Sequence, residues 1–215
     1  MKHLKTLVLG LALVLAVTGN LVIDASSGIL TVAPAPVPQT GQSISHTTGD
    51  DGASQTGIEW DAATRFTDND DGTVTDNLTG LIWLKDADCL GAVNWSSGLK
   101  STVTLENGLC DLTDGSVDWD WRMPNVREMA SLIDYGQKGR ALPIGHPFLS
   151  VRSTYWTSTS SLQYPSLLAW TVDLFLGGVD YDSKSLGHYV WPVKGEGIGA
   201  LDFYLPLVQT EGGEQ

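Results

Sequence analysis

The sequence predicts an α+β domain in which mostly antiparallel short strands frame two helices, with one disulfide. Three observations carry this. β-type runs gather in the first and last thirds of the folded part, two helix-like stretches lie between them, and no strand–helix–strand alternation appears anywhere. A chain of 215 residues with 42% apolar residues and eight tryptophans has enough apolar material to bury a core.

The first 25 residues read as a secretory signal. Lys2, His3 and Lys5 form a basic start, Leu7 to Val17 is an apolar run broken only by Gly10, and small residues near Gly19 and Ala25 suit cleavage. The run is too short to span a bilayer, which needs roughly 20 residues, and no later segment of the sequence spans one. Residues 26–40, with Pro34, Pro36 and Pro38 among small residues, read as an extended tether. The domain is expected over 41–195, opening with loops over 41–57 and at most short edge strands there.

A three-strand meander follows. Arg65–Thr67 and Thr73–Thr75 flank the turn Asn69-Asp70-Asp71-Gly72, and Asn77-Leu78-Thr79-Gly80 turns the chain into the apolar strand Leu81–Leu84. Asn94 is placed to cap a first helix carrying Trp95, Leu99 and Val103, although Gly98 weakens it. A second helix starts at Asn125, with Glu128 three residues on as in a capping box. Val126, Met129, Ala130 and Ile133 keep helical spacing, and Gly136 is available to end it. The last third returns to strands at Thr154–Ser158, Ala169–Leu174 and Val179–Tyr181, then a closing strand Tyr189–Val193 with Pro192 at an edge or bulge. Trp83, Trp121, Trp156 and Trp191 are the expected core aromatics. Residues 196–215 form a Gly-linked tail whose apolar stretch Leu201–Val208 reads either as an added edge strand or as an assembly segment.

Cys89 and Cys110 are the only cysteines, and in an exported chain they are expected to pair. The net charge of −13 argues against recognition of nucleic acid, anionic lipid or sulfated polymers by bulk charge. Loss of Lys2 and Lys5 with the leader makes the mature chain more acidic still.

Four segments resemble one family. Arg65 to Trp83 (RFTDNDDGTVTDNLTGLIW), Trp121 to Met129 (WRMPNVREM), Tyr155 to Thr159 (YWTST) and Tyr189 to Gly195 (YVWPVKG) occur in the order and spacing of the Lcl C-terminal domain family, a former domain of unknown function. The resemblance covers about residues 38–195. It implies a fold similar to C-type lectin-like and sulfatase-modifying domains, with the first and last strands close together, in an exported bacterial surface or periplasmic protein. The adhesin for which the family is named is associated with sulfated glycosaminoglycans, and the acidity of this chain departs from that. Sulfatase-modifying relatives use cysteines late in the chain, and none follows Cys110 here.

Two acidic clusters are the candidate sites. Asp68, Asp70 and Asp76 surround the Gly72 turn and suggest a carboxylate site with calcium as candidate cofactor, set against a plain hairpin turn in which Asp and Asn satisfy local N–H groups. An EF-hand is excluded, because Thr73 and Thr79 stand where its glycine and glutamate belong. Asp111, Asp114, Asp118 and Asp120 form the second cluster, next to Trp121, and the last two flank Trp119, the combination of a stacking indole with carboxylate acceptors that suits a sugar. Glu128 is read as a cap and Arg122 as a partner of a buried acid, both structural. No GxSxG, HExxH or P-loop pattern occurs. The expectation is a non-catalytic, adhesin-like module binding a carbohydrate or other cell-surface ligand, with self-assembly through the tail as the alternative.

Overall fold

The computed structural model describes residues 37–195 except Lys138, plus the backbone of two short strands, β1 (Leu21–Ile23) and β2 (Leu30–Val32). β1 and β2 pair antiparallel in a unit that ends at Pro36. The remainder of the expected signal and the tail at 196–215 lie outside the described residues.

The main body starts at Val37 rather than at 41. Pro38 bridges Ile58 in parallel, and the Gln39 amide donates to the Ile58 carbonyl at 3.0 Å. Two single-turn helices precede the meander, in a region where composition suggested only loops and strands. In α1 (Asp51–Ser54) the cap is Asp50, whose carboxylate accepts from the amides of His46, Thr47 and Ala53. In α2 (Ala62–Arg65) it is Asp61, accepting from Ala63. Both turns exist because a short acid satisfies free helix-start N–H groups.

The meander forms as expected. β3 (Phe66–Asp68), β4 (Thr73–Asp76) and β5 (Ile82–Leu84) pair antiparallel in sequence order. Gly72, at φ 85°, lets the first turn press against the 110s loop: an added Cβ would lie 2.6 Å from the Asp111 carbonyl oxygen. β6 (Ala92–Val93) leads into α3 (Trp95–Val103), capped by Asn94 as predicted. Gly98, a weakness in propensity, is a fit in packing. A Cβ there would stand 2.8 Å from both Met123 and Val190.

The second predicted helix, α4, is shorter than its periodicity suggests. It covers Val126–Ala130 with the full Asn125/Glu128 capping box, then Ser131 ends it. Ile133 and Leu132 remain buried in the following turn, so the apolar spacing continues after the helix stops. Gly136 terminates nothing. It lets the chain pass Gly41, whose carbonyl oxygen would lie 2.4 Å from a Cβ.

β7 (Thr154–Ser160), β8 (Leu168–Asp173) and β9 (Gly178–Ser183) form an antiparallel run. The expected closing strand is in fact two. β10 (His188–Tyr189) joins β6 antiparallel and β7 in parallel, whereas β11 (Val193–Lys194) pairs with β5. The body therefore holds a five-stranded sheet, β6-β10-β7-β8-β9, and a four-stranded sheet, β11-β5-β4-β3. Between them, Val190 enters a small cluster with Met123, Trp156 and Ala169, and Trp191 enters the main core. Pro192 has no N–H to offer a ladder, which suits the crossing point. Its carbonyl still accepts from the Leu84 amide at 3.1 Å.

All four predicted core tryptophans are fully buried. Trp83 and Phe148 meet Trp191 edge-on, and the Trp191 indole donates to the Leu84 carbonyl at 2.7 Å. Cys89 and Cys110 are bonded, with Cα atoms 5.8 Å apart. Among the described residues no helix is long and apolar enough to cross a membrane.

Candidate functional site

The first acidic cluster does not converge on a metal. Asp76 is fully buried and its two oxygens take Arg65 Nε and Nη2 at 3.3 and 3.2 Å. Arg65 also donates to the Ser131 carbonyl, tying the meander to the end of α4. Asp68 faces elsewhere, accepting from Lys85 Nζ at 2.5 Å and from the Asp70 amide. That lysine holds the Asp68 carboxyl below its usual range. Asp70 is exposed at φ 58° in the turn. Two of the three acids are thus neutralised by cations of the fold, and no group of three or more potential ligands gathers among the described residues. In the structure Asp68, Asp70 and Asp76, the residues of the expected calcium site, serve a turn and two ion pairs.

The second cluster divides. Asp114 turns inward to Lys194 of β11 and accepts from the Ser116 hydroxyl and amide. Burial pushes its carboxyl up, but Lys194 and Ser116 together outweigh that and hold it below the ordinary range. Asp118 and Asp120 stay exposed, and one Asp120 oxygen accepts from the Val117 amide at 2.9 Å, closing the turn.

Between those two acids stands Trp119, with 78% of its surface exposed. Its φ is 75°, a conformation that a bulky L-residue adopts only when its surroundings impose it. The imposed contact is visible: the Trp119 amide donates to the carbonyl of Val103, the last residue of α3, at 2.8 Å. The other seven tryptophans are buried or half-buried, so this is the one indole offered to solvent.

Trp119 borders a groove of about 580 Å³ between α3 and the start of α4. Leu99, Val103 and Met123 supply its apolar wall, and Lys100, Asn125, Glu128 and Ser158 its polar groups. Arg122 sits at one side, held by Glu128 in a two-pronged pair with both distances 2.7 Å. Glu128 simultaneously accepts from the Asn125 amide at 2.8 Å as the reciprocal half of the capping box. One carboxylate therefore sets both the start of α4 and the position of the guanidinium. Arg122 also donates to the Gly195 carbonyl at 3.1 Å, and its backbone bridges Val193. Lys100 makes no ion pair among the described residues, so the groove carries local positive charge on an acidic protein.

The structure leaves Trp119 exposed at the border of a groove, with Asp118 and Asp120 exposed on either side of it but outside the groove lining. The sequence reading missed the groove's polar half, Lys100, Arg122, Asn125, Glu128 and Ser158. Arg122 and Glu128 are six apart and separated by Pro124, a spacing that no helix or strand rule pairs.

These features define a disulfide-closed α+β domain with two antiparallel-rich sheets and an indole-edged groove beside its central helices. The chain belongs to the Lcl C-terminal domain family, whose model matches residues 72–194 and so takes in every groove residue. Among curated proteins none matches the chain.

Proposed function

We propose that this protein is an exported bacterial binding module, non-catalytic and adhesin-like, that recognises a carbohydrate or other surface ligand in the groove beside Trp119. The single observation that carries the reading is that indole: large, exposed, and held at a backbone conformation that costs roughly 1–2 kcal/mol for a residue with a Cβ. Strain retained at an exposed aromatic is typical of a ligand contact, since packing gains nothing from it. An indole face takes the C–H face of a sugar ring, and Lys100, Asn125, Glu128 and Ser158 are at hand for hydroxyl groups.

A C-type lectin-like fold belongs to the same proposal. It is supported by the pairing of β11 with β5, which brings the last strand onto the first meander, and by the helices framed between strands. Export to the periplasm or cell surface is supported by the basic and apolar start of the sequence and by the disulfide.

The test is a glycan-array screen of the purified protein with Trp119→Ala alongside, each in calcium and in chelator. Saturable binding that weakens about 30-fold or more in the variant supports the reading, the loss expected for truncating an aromatic anchor worth about 2 kcal/mol. Binding unaffected by Trp119→Ala removes the groove from the account. Since Arg65 and Lys85 already pair the candidate acids, chelator is expected to change nothing.

A further inference from the structure

We infer that the protein has a second ligand site, for a small monocarboxylate with an apolar body, in a cavity of about 320 Å³ where the start of β7, the β8–β9 turn and β10 meet. Arg140, Arg152, Ser153, Leu174, Phe175 and Tyr189 line it, and among the described residues no carboxylate does. Two of the chain's five arginines therefore converge here, on a protein with 25 acids against 12 Lys and Arg. The cavity shares no residue with the groove beside Trp119, so the site does not rest on the function proposed for that groove.

The backbone that carries these side chains is fixed. The Ala141 amide, next to Arg140, donates to the Leu174 carbonyl at 2.6 Å, and the Leu174 amide donates to the Ser153 carbonyl at 2.7 Å. The Phe175 amide donates to Asp173 Oδ1 at 2.7 Å, and its ring stays half-exposed. Arg152 is held at three points. Its amide donates to the Tyr155 hydroxyl at 2.6 Å, its Nε and Nη2 donate to one oxygen of Asp88 at 2.8 and 2.6 Å, and its guanidinium lies 5.6 Å from the centre of the Tyr189 ring. Asp88 thus takes one edge of the fork, and Nη1 on the other edge has no partner among the described residues. Arg140 is exposed and makes no ion pair among the described residues. An unpaired guanidinium and the open edge of a second, beside the rings of Phe175 and Tyr189, suit an anion on an apolar body. Charge selects the kind of anion. Asp88 offsets Arg152, which leaves the charge of Arg140 to be met by a single carboxylate. A phosphate dianion or a polyanion would instead meet the field of a chain with net charge −13. The volume lies at the small end of the range for ligand pockets, roughly 300–1,000 Å³, and so admits one small molecule.

The test is an NMR titration of the nitrogen-labelled full chain with phenylacetate. It follows the Nε–H resonances of Arg140 and Arg152, each assigned by its loss in Arg140→Gln or Arg152→Gln. Both resonances should shift saturably, with a dissociation constant on the order of 1 mM for so small a probe. Arg140→Gln should weaken binding, read at Arg152, by about tenfold or more, because it removes a charge-assisted contact. Phe175→Ala should weaken it about fivefold through the lost ring. Backbone amide spectra that match wild type away from the cavity show that both variants are folded. Phenylacetamide, of the same shape without the charge, should shift neither resonance. No saturable shift at either guanidinium overturns the inference, as does equal binding of phenylacetamide or undiminished affinity in Arg140→Gln. Inorganic phosphate that binds the same two resonances more tightly than phenylacetate overturns the carboxylate assignment. Phenylacetate binding that survives Trp119→Ala separates the two sites, so a failed glycan screen leaves this site standing, and a failed titration leaves the groove beside Trp119 untouched.

Discussion

At Trp119 a single side chain carries two opposed effects, and substitution separates them. Trp119→Gly removes the indole and also the Cβ that makes φ 75° costly. Its stability is expected to be unchanged or up to about 1 kcal/mol higher, because relief of strain is offset by the greater freedom of glycine in the unfolded chain. Trp119→Ala keeps the Cβ and should melt within about 0.5 kcal/mol of wild type, as exposed positions do. Thermal melts of both, set beside their binding, check this. Trp119 was legible in the sequence as the tryptophan outside the Trp-Arg-Met-Pro context. The Arg122–Glu128 pair was not, because it depends on the chain turning back across Pro124. His146 gives a second residue-level expectation. Burial, helped by the charge of Arg140, pushes its pKa below the ordinary 6.5, and its buried Nδ1 has no hydrogen-bond partner among the described residues. The folded state thus resists protonation more than the unfolded state does. The stabilisation is complete above pH 6.5 and is lost as pH falls below it. Melting temperature should decline with acidification from that point in wild type, and His146→Phe should remove that part of the slope.

Among the elements, the caps were the most legible and the ends the least. Asn94 and Asn125 announce α3 and α4 because an N-cap needs only a local side chain. Where α4 stops is decided by distant partners: the Ser131 carbonyl is taken by Arg65, sixty-six residues away. The closing strand divides for a similar reason, since Val190 and Trp191 answer to different cores. Asn125→Ala is expected to cost about 1 kcal/mol of stability by loss of the capping box, and denaturant titration measures it. Removing Arg65 or Asp76 singly leaves a charge buried without its partner, a loss of about 3–5 kcal/mol. α1 has its own pH signature. The amides of His46, Thr47 and Ala53 at Asp50, helped by the Ser45 hydroxyl, outweigh its burial and bring its pKa to about 2 from 3.8. This stabilisation is present above pH 3.8 and disappears as pH falls towards 2, so an Asp50→Asn variant should show a shallower acid limb.

For the molecule as a whole, the α+β class, the meander, the buried tryptophans and the Cys89–Cys110 bond all followed from local pattern and composition. The groove did not, because it is formed by α3, α4 and the 119 turn meeting across more than twenty residues of chain. The disulfide closes a span of 21 residues, and its removal in Cys89→Ser/Cys110→Ser should cost about 3 kcal/mol and lower the melting temperature by about 6–12 °C. The central claim is that this groove recognises a surface ligand through Trp119. The most direct test is the glycan-array screen run on wild type and Trp119→Gly. The account predicts saturable glycan binding by wild type and none by Trp119→Gly despite its intact melting transition. Binding that persists in Trp119→Gly, or no binding by the wild type, would contradict it.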